Sequence, residues 1–271
     1  MPAEQEKRIA KAGQAVSGNI AYFARHLGKV ESRWKADKTR VTNADIAVSD
    51  AITGWLAENF PNDDVVSEEV LPSAESGGRS LKSRFCWVLD PIDGTNNYAL
   101  GLPACGIMLA LLEEGVPVYG WIYEHLSGGL VEGGARRGIR VNGTPIQAQR
   151  ASGVFDKQAI VSLSLPLSER YLKCLSPLLT RNPARCFGSA ATNLTYTALS
   201  VFDGSFSMRC KVWDISAGHA LLAGAGRQIV YLEAQPFPLR ELTASPPNFP
   251  FLAGTEAFLR FTVPLFSEKQ G

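Results

Sequence analysis

Long apolar runs are missing from the 271-residue chain, and charges interrupt Met1 to Leu27, so neither a signal peptide nor a transmembrane helix is visible. A cytoplasmic location is the default expectation. An excess of one charge is missing too. The 27 Lys and Arg stand against 26 Asp and Glu, a formal +1, and the basic residues are scattered. That balance argues against general binding to a nucleic acid polymer or a membrane surface. Cysteine is sparse. The five thiols (Cys86, Cys105, Cys174, Cys186, Cys210) are odd in number and show no C-x-x-C spacing, which excludes a disulfide framework or a zinc site and leaves reduced, mostly buried thiols. Neither an internal repeat nor a low-complexity tract is present. The 45% hydrophobic content is enough for a substantial core, in one large domain or two closely packed lobes.

The stretch Phe85 to Gly94, FCWVLDPIDG, is the most informative. Cys86 to Leu89 reads as a strand buried on both faces, and it stops at Asp90. Asp90 and Asp93 flank Pro91, a stiff corner that lets both carboxylates leave the strand end toward one point. Hard oxygen ligands converging on one point suit Mg²⁺. Gly94-Thr95-Asn96 can then open a helical turn whose N–H groups face an anion. Alone, D-P-I-D-G is an ordinary turn string. Here it follows a strongly apolar strand, where a solvent turn has no need of two acids and a hydroxyl.

Upstream, Ile9, Val16, Ile20, Phe23 and Leu27 predict one helix ended by Gly28. Trp34 to Asp45 is polar and loop-like, leading into a helix with Val48, Ile52, Trp55 and Leu56 on its apolar face. Asp45 lies in the first turn of that helix, with Thr42 or Asn43 as candidate cap. Val65-Val66 predicts a short strand ending in Ser67-Glu68-Glu69; beside Trp87 to Leu89 it would bring Glu68 and Asp90 out at the same edge. Pro72 to Arg84 reads as an exposed loop.

Downstream, Ile107 to Leu112, Val116 to Tyr123, Leu130 to Glu132 and Ile139 to Val141 predict antiparallel strands joined at Gly115, Gly128-Gly129 and Asn142-Gly143. Near Gln149 to Gly153 the pattern changes to alternating strand and helix, dividing the chain into an α+β lobe, residues 1–150, and an α/β lobe with a mainly parallel sheet, residues 151–271. Pro236 to Pro250 reads as a loop before a final strand and helix. Within the second lobe Trp213-Asp214 precedes a helix whose Ala217, Gly218 and Ala220 allow close backbone approach.

Ser67-Glu68-Glu69, Trp87 to Thr95 and Trp213 to Gly218 together resemble the inositol monophosphatase family, of the Mg²⁺-dependent, lithium-sensitive sugar-phosphatase superfamily. Val41 to Asp45, Gly138 to Gly143 and Gly188-Ser189-Ala190 extend the likeness over most of the chain. The resemblance implies a layered αβαβα fold and a phosphoric monoester hydrolase acting on a small phosphorylated metabolite such as an inositol or other polyol phosphate. It also implies that Glu68, Asp90, the Ile92 carbonyl, Asp93 and Asp214 hold Mg²⁺, with Glu69 behind them. Asp45 and Thr95, together with Glu68, would activate the attacking water. Asp93, Gly94, Thr95, Gly188, Ser189, Ala190 and Asp214 would contact substrate. A homodimer and lithium inhibition are further implications.

Two departures bear on the substrate. Ser207 stands where inositol-selective members carry a glutamate, and Arg209 and Lys211 follow it closely, a pattern compatible with a second phosphate. Fructose bisphosphatase, bisphosphate nucleotidase and histidinol phosphatase activities are the enzymatic alternatives, and a catalytically weak regulatory relative is the alternative outside enzymes. Two carboxylates about 5 Å apart repel by roughly 3 kcal/mol at an effective dielectric near 20. Gathering these acids therefore predicts a site that divalent cations stabilise.

Overall fold

The computed structural model describes residues 2–35, 39–72, 78–147 and 153–267. Where the apolar spacing predicts one opening helix there are two, α1 (Pro2–Ser17) and α2 (Ile20–His26). Gly18-Asn19 makes the break: the Asn19 side chain donates to the Ala15 carbonyl at 2.9 Å, and glycine is a poor helix residue. Gly28, at φ +68°, ends α2 as its position predicts. The polar stretch expected as loop contains an antiparallel pair, β1 (Ser32–Trp34) and β2 (Arg40–Thr42). The Arg40 guanidinium lies over the Trp34 ring, a cross-strand contact that offsets the lack of apolar alternation.

Thr42 caps α3 (Asn43–Asn59), whose Val48, Ile52 and Leu56 are fully buried. β3 (Asp64–Ser67) is followed by β4 (Arg79–Ser80), a two-residue strand within the stretch expected as loop; residues 73–77 of that stretch lie outside the described residues. β5 (Phe85–Asp93) does not stop at Asp90. It continues through a bulge, its pairing passing from Asp90 opposite Met108 to Asp93 opposite Gly106. α4 (Thr95–Leu100) follows Gly94, at φ +76°. Then come β6 (Gly106–Glu113), β7 (Val116–Glu124), β8 (Gly129–Gly134), β9 (Gly138–Val141) and β10 (Thr144–Ile146). The seven strands order as β10-β9-β8-β7-β6-β5-β3, antiparallel except for β3 against β5.

The later part alternates: β11 (Val161–Leu163), α5 (Glu169–Leu179), β12 (Ala184–Arg185), α6 (Ala190–Ala198), β13 (Gly204–Ser207), α7 (Val212–Gly224) and β14 (Gln228–Tyr231). β15 (Glu241–Leu242) interrupts the proline-rich loop and pairs with β4. β16 (Phe251–Gly254), α8 (Glu256–Thr262) and the short α9 (Pro264–Ser267) complete the chain. In the sheet β12-β11-β13-β16-β14, four strands point one way and β16 runs against them, so the direction is mainly parallel although β16 pairs antiparallel on both sides. The change of pattern near Gln149 to Gly153 falls largely on residues 148–152, outside the described residues.

Alternation along β5 sets the layers. Trp87 and Leu89 pack with Val48, Ile52 and Phe23 of the first helices, while Cys86 and Val88 face Leu194 of α6 and Ile215 and Leu221 of α7. That second cluster also holds Tyr231, Phe251 and Ala253, so α6 and α7 form a middle layer shared by both sheets. Phe206, Leu252 and Phe258 join α5 and α8 on the far face. The stacking is αβαβα. Close approach is enforced by missing side chains: a Cβ on Gly120 would lie 2.4 Å from the Ala217 carbonyl oxygen, and one on Gly218 would lie 2.4 Å from Leu194 Cδ1. Side chains of Trp87 or Leu221 size contribute about 1.5–3 kcal/mol each when fully buried.

Candidate active site

The acids arrive from three backbone devices. The first is the bulge of β5, which presents Asp90 and Asp93 from two buried positions of one strand, with Pro91 and Ile92 between them. Asp90 is 1% exposed, and its Oδ1 has no hydrogen-bond partner. Burial, then Glu68, Asp93 and Asp214, push the Asp90 carboxyl well above its ordinary range. The second is the start of α6. Asp93 accepts from the Ala190 N–H at 3.1 Å, the Ala191 N–H at 2.8 Å and the Ser189 hydroxyl, which also caps the helix. Burial raises the Asp93 pKa against the pull of these donors. The third is the start of α7, where the Lys211 N–H donates to Asp214 Oδ2 at 2.7 Å. Burial, with Asp93 and Glu68, raises Asp214 as well. One oxygen each from Asp90, Asp93 and Asp214 lies within 4.8 Å of the others.

Glu68 leaves the end of β3, its N–H donating to the Leu89 carbonyl at 3.2 Å, so the parallel pairing of β3 with β5 puts it beside the Asp90 end of the strand. Burial lifts its pKa to about 7 against the opposing effect of Lys35 and with that of Glu69. Lys35 is a residue the sequence reading passes over. Its Nζ lies 3.0 Å from Glu68 Oε1 and 2.8 Å from Glu69 Oε1. Burial would lower the Lys35 pKa, but the two glutamates more than offset it and the ammonium is held protonated. The only available signal was one lysine in a polar stretch.

Asp45 is fully buried at the start of α3. It accepts from the Thr42 N–H at 2.8 Å and from the Thr42 hydroxyl, which identifies Thr42 rather than Asn43 as the cap. Burial raises its pKa to about 6, opposed by the Thr42 hydrogen bonds. Thr95 Oγ1 stands 3.2 Å from Asp45 Oδ1 and 2.9 Å from the Ile92 carbonyl oxygen. A hydroxyl between a carboxylate and a carbonyl has its proton directed, leaving lone pairs to accept from a third group. Gly94 cannot carry a side chain here, since a Cβ would lie 2.9 Å from the Ala104 carbonyl oxygen at a positive φ.

Among the expected substrate contacts, Ser189 and Ala190 serve to hold Asp93, and Gly188, at φ +68°, lies beside the Asn97 amide. Ser207 is buried, and its Oγ accepts from the Cys210 thiol at 3.1 Å. Arg209 is exposed. Lys211 Nζ donates to the Pro246 carbonyl at 2.6 Å. Glu124 is a second residue the sequence reading passes over: fully buried at the end of β7, it borders the α6 side of the site.

The donor set fits a hard divalent cation. Three carboxylate oxygens converge with no cationic side chain paired to them among the described residues, one buried oxygen has no donor, and no thiol or imidazole lies among them. Among the described residues no helix is long and apolar enough to cross a membrane.

The family model described as the inositol monophosphatase family matches residues 3–250. Nus factor SuhB of Xylella fastidiosa is 29% identical over 225 residues, 80% of this chain and 78% of that protein. The fructose-1,6-bisphosphatase/inositol-1-monophosphatase of Aquifex aeolicus is 29% identical over 245 residues, 87% of this chain and 89% of that protein. Among solved structures, the Thermotoga maritima IMPase superposes with a TM-score of 0.80 at 22% identity, covering 96% of each chain.

Proposed function

The chain belongs to the inositol monophosphatase family, and from that premise we propose that it is a Mg²⁺-dependent phosphomonoesterase cleaving a small phosphorylated polyol or sugar. The observation that carries the reading is the convergence of Asp90, Asp93 and Asp214 with a partnerless Asp90 oxygen, next to the Thr95–Asp45 pair. Asp90, Asp93, Asp214, Glu68 and the Ile92 carbonyl are the groups that would hold Mg²⁺. A divalent cation bound there supplies Lewis-acid activation of water and neutralises charge on the phosphoryl oxygens. Thr95 orients the attacking water through its hydroxyl, and Asp45, 3.2 Å behind it, takes up the proton. The Gly94 and Thr95 N–H groups, at the mouth of α4, face the phosphoryl oxygens. Water attacks phosphorus as its proton passes to Asp45, the P–O bond to the alcohol breaks, and the departing oxygen takes a proton from solvent while Asp45 returns its own; no side chain becomes covalently attached.

A binding protein has no use for the Thr95–Asp45 pair, which favours the enzyme over a purely regulatory role. Ser207, buried and already taken by Cys210, offers a sugar ring no carboxylate, which widens the substrate class beyond inositol phosphates. Phosphate release from inositol 1-phosphate, fructose 1,6-bisphosphate, adenosine bisphosphate and histidinol phosphate, with and without Mg²⁺, tests the reading. Mg²⁺-dependent release from at least one is expected; none from any would refute it.

A further inference from the structure

Asp93 of β5, Gly106 of β6 and Glu124 of β7 stand in one row of the large sheet, Gly106 paired with Asp93 on one side and with Glu124 on the other. Residues in register on adjacent strands share a face, so both carboxylates rise on the same side with a gap between them. The gap is needed: a Cβ on Gly106 would lie 3.0 Å from Ala191 Cβ and 2.2 Å from the Tyr123 carbonyl oxygen. The first turn of α6 fills the notch. Asp93 grips it from one side through Ser189, Ala190 and Ala191. Glu124 grips it from the other through Thr192 Oγ1, 2.9 Å from Oε1.

We propose that Glu124 is a positioning residue for Asp93, fixing the α6 turn that presents it and adding negative potential that favours a divalent cation beside it. Glu124 is fully buried, and its remaining partners, the Leu126 N–H at 3.2 Å, the Ser127 N–H at 2.8 Å and the Tyr196 hydroxyl, are all uncharged. Neutral donors satisfy its oxygens without cancelling its charge. Two strand spacings separate it from Asp93, about 10 Å, close enough for that charge to act through the protein. This inference rests on the reading of Asp93 as a metal ligand.

The test is calorimetric titration of the full chain with Mg²⁺, with KM and kcat measured at saturating Mg²⁺. Glu124→Gln keeps the shape and removes the charge; about tenfold weaker Mg²⁺ binding is expected, with KM unchanged once Mg²⁺ saturates. Thr192→Val keeps the charge and removes the grip; a smaller loss, about threefold, is expected. Glu124→Asp, which restores the charge, is expected to recover part of the affinity. A stabilising role alone would lower the melting midpoint and leave Mg²⁺ affinity where it was. Wild-type affinity in folded Glu124→Gln overturns the inference; if that variant does not fold, wild-type affinity in Thr192→Val does. A wild-type chain that binds no Mg²⁺ overturns this inference and the phosphatase reading together, whereas equal affinities overturn this one alone.

Discussion

The two flanks of the acid cluster are built from different materials. On the Asp93 flank the carboxylate sits between paired strands under a helix start, and two of its three donors are backbone N–H groups. On the Glu68 flank the carboxylate leaves an outermost strand of the sheet and is met by the Lys35 ammonium at the end of a long side chain. Backbone dipoles fixed in a helix cannot follow an arriving ion, whereas a lysine can withdraw at the cost of a few rotamers. On the reading proposed above, the first flank would set the position of the cation and the second would adjust to its arrival.

Three experiments sharpen or break that contrast. The largest effect belongs to Asp93→Asn, which turns an amide NH₂ toward donors that need an acceptor. A loss of at least about 10²–10³-fold in kcat is expected; near-normal turnover would remove the rigid flank from the chemistry. The next is a pair of melting curves against pH. Asp45 and Glu68 have folded pKa values raised to about 6 and about 7, above those of an unfolded chain, so the folded state binds more protons across that interval. In a chelator, the stability these two groups contribute is therefore fully present below about pH 4 and is lost as pH rises through 6 and 7. With Mg²⁺ near 100 times its Kd the midpoint rises by several degrees at pH 7 to 8, since saturation at that level contributes about 2.7 kcal/mol. Identical pH curves with and without Mg²⁺ would contradict the account.

The smallest effect is that of Lys35→Met. It strips a cation from two largely buried glutamates, so the chelated protein is expected to lose about 1–2 kcal/mol. The Mg²⁺-loaded protein is expected to lose less, because the ion takes over the pairing. An equal loss in both states, read from denaturant melts, would show that Lys35 does not withdraw.

Much of this was legible beforehand because it depends on local rules. The run Cys86 to Leu89, the Thr42 cap and the glycines at 28 and 94 are properties of neighbouring residues, and the spacing of acids in D-P-I-D-G carries its own chemistry. What escaped depends on partners remote in the chain. β4 and β15 are two residues each and exist because they find one another across 160 positions of sequence. Asp93 stays in the strand because its pairing resumes opposite Gly106 after the bulge, a partner that lies on β6 rather than in the motif. Lys35 and Glu124 carry no local signature, since a lone charged residue becomes informative only when the fold shows what it faces. Lys211, whose place in the sequence is compatible with a second phosphate, donates from its ammonium to the Pro246 carbonyl, a partner in a segment with no periodicity to announce it.

The middle layer has a consequence for how the molecule comes apart. α6 and α7 bury one side against the seven-stranded sheet and another against the five-stranded one, so removing either sheet would wet apolar surface that belongs equally to the other. Calorimetry should accordingly record one heat-absorption peak, its van't Hoff and measured enthalpies in agreement, and a fragment cut near residue 150 should fail to fold alone.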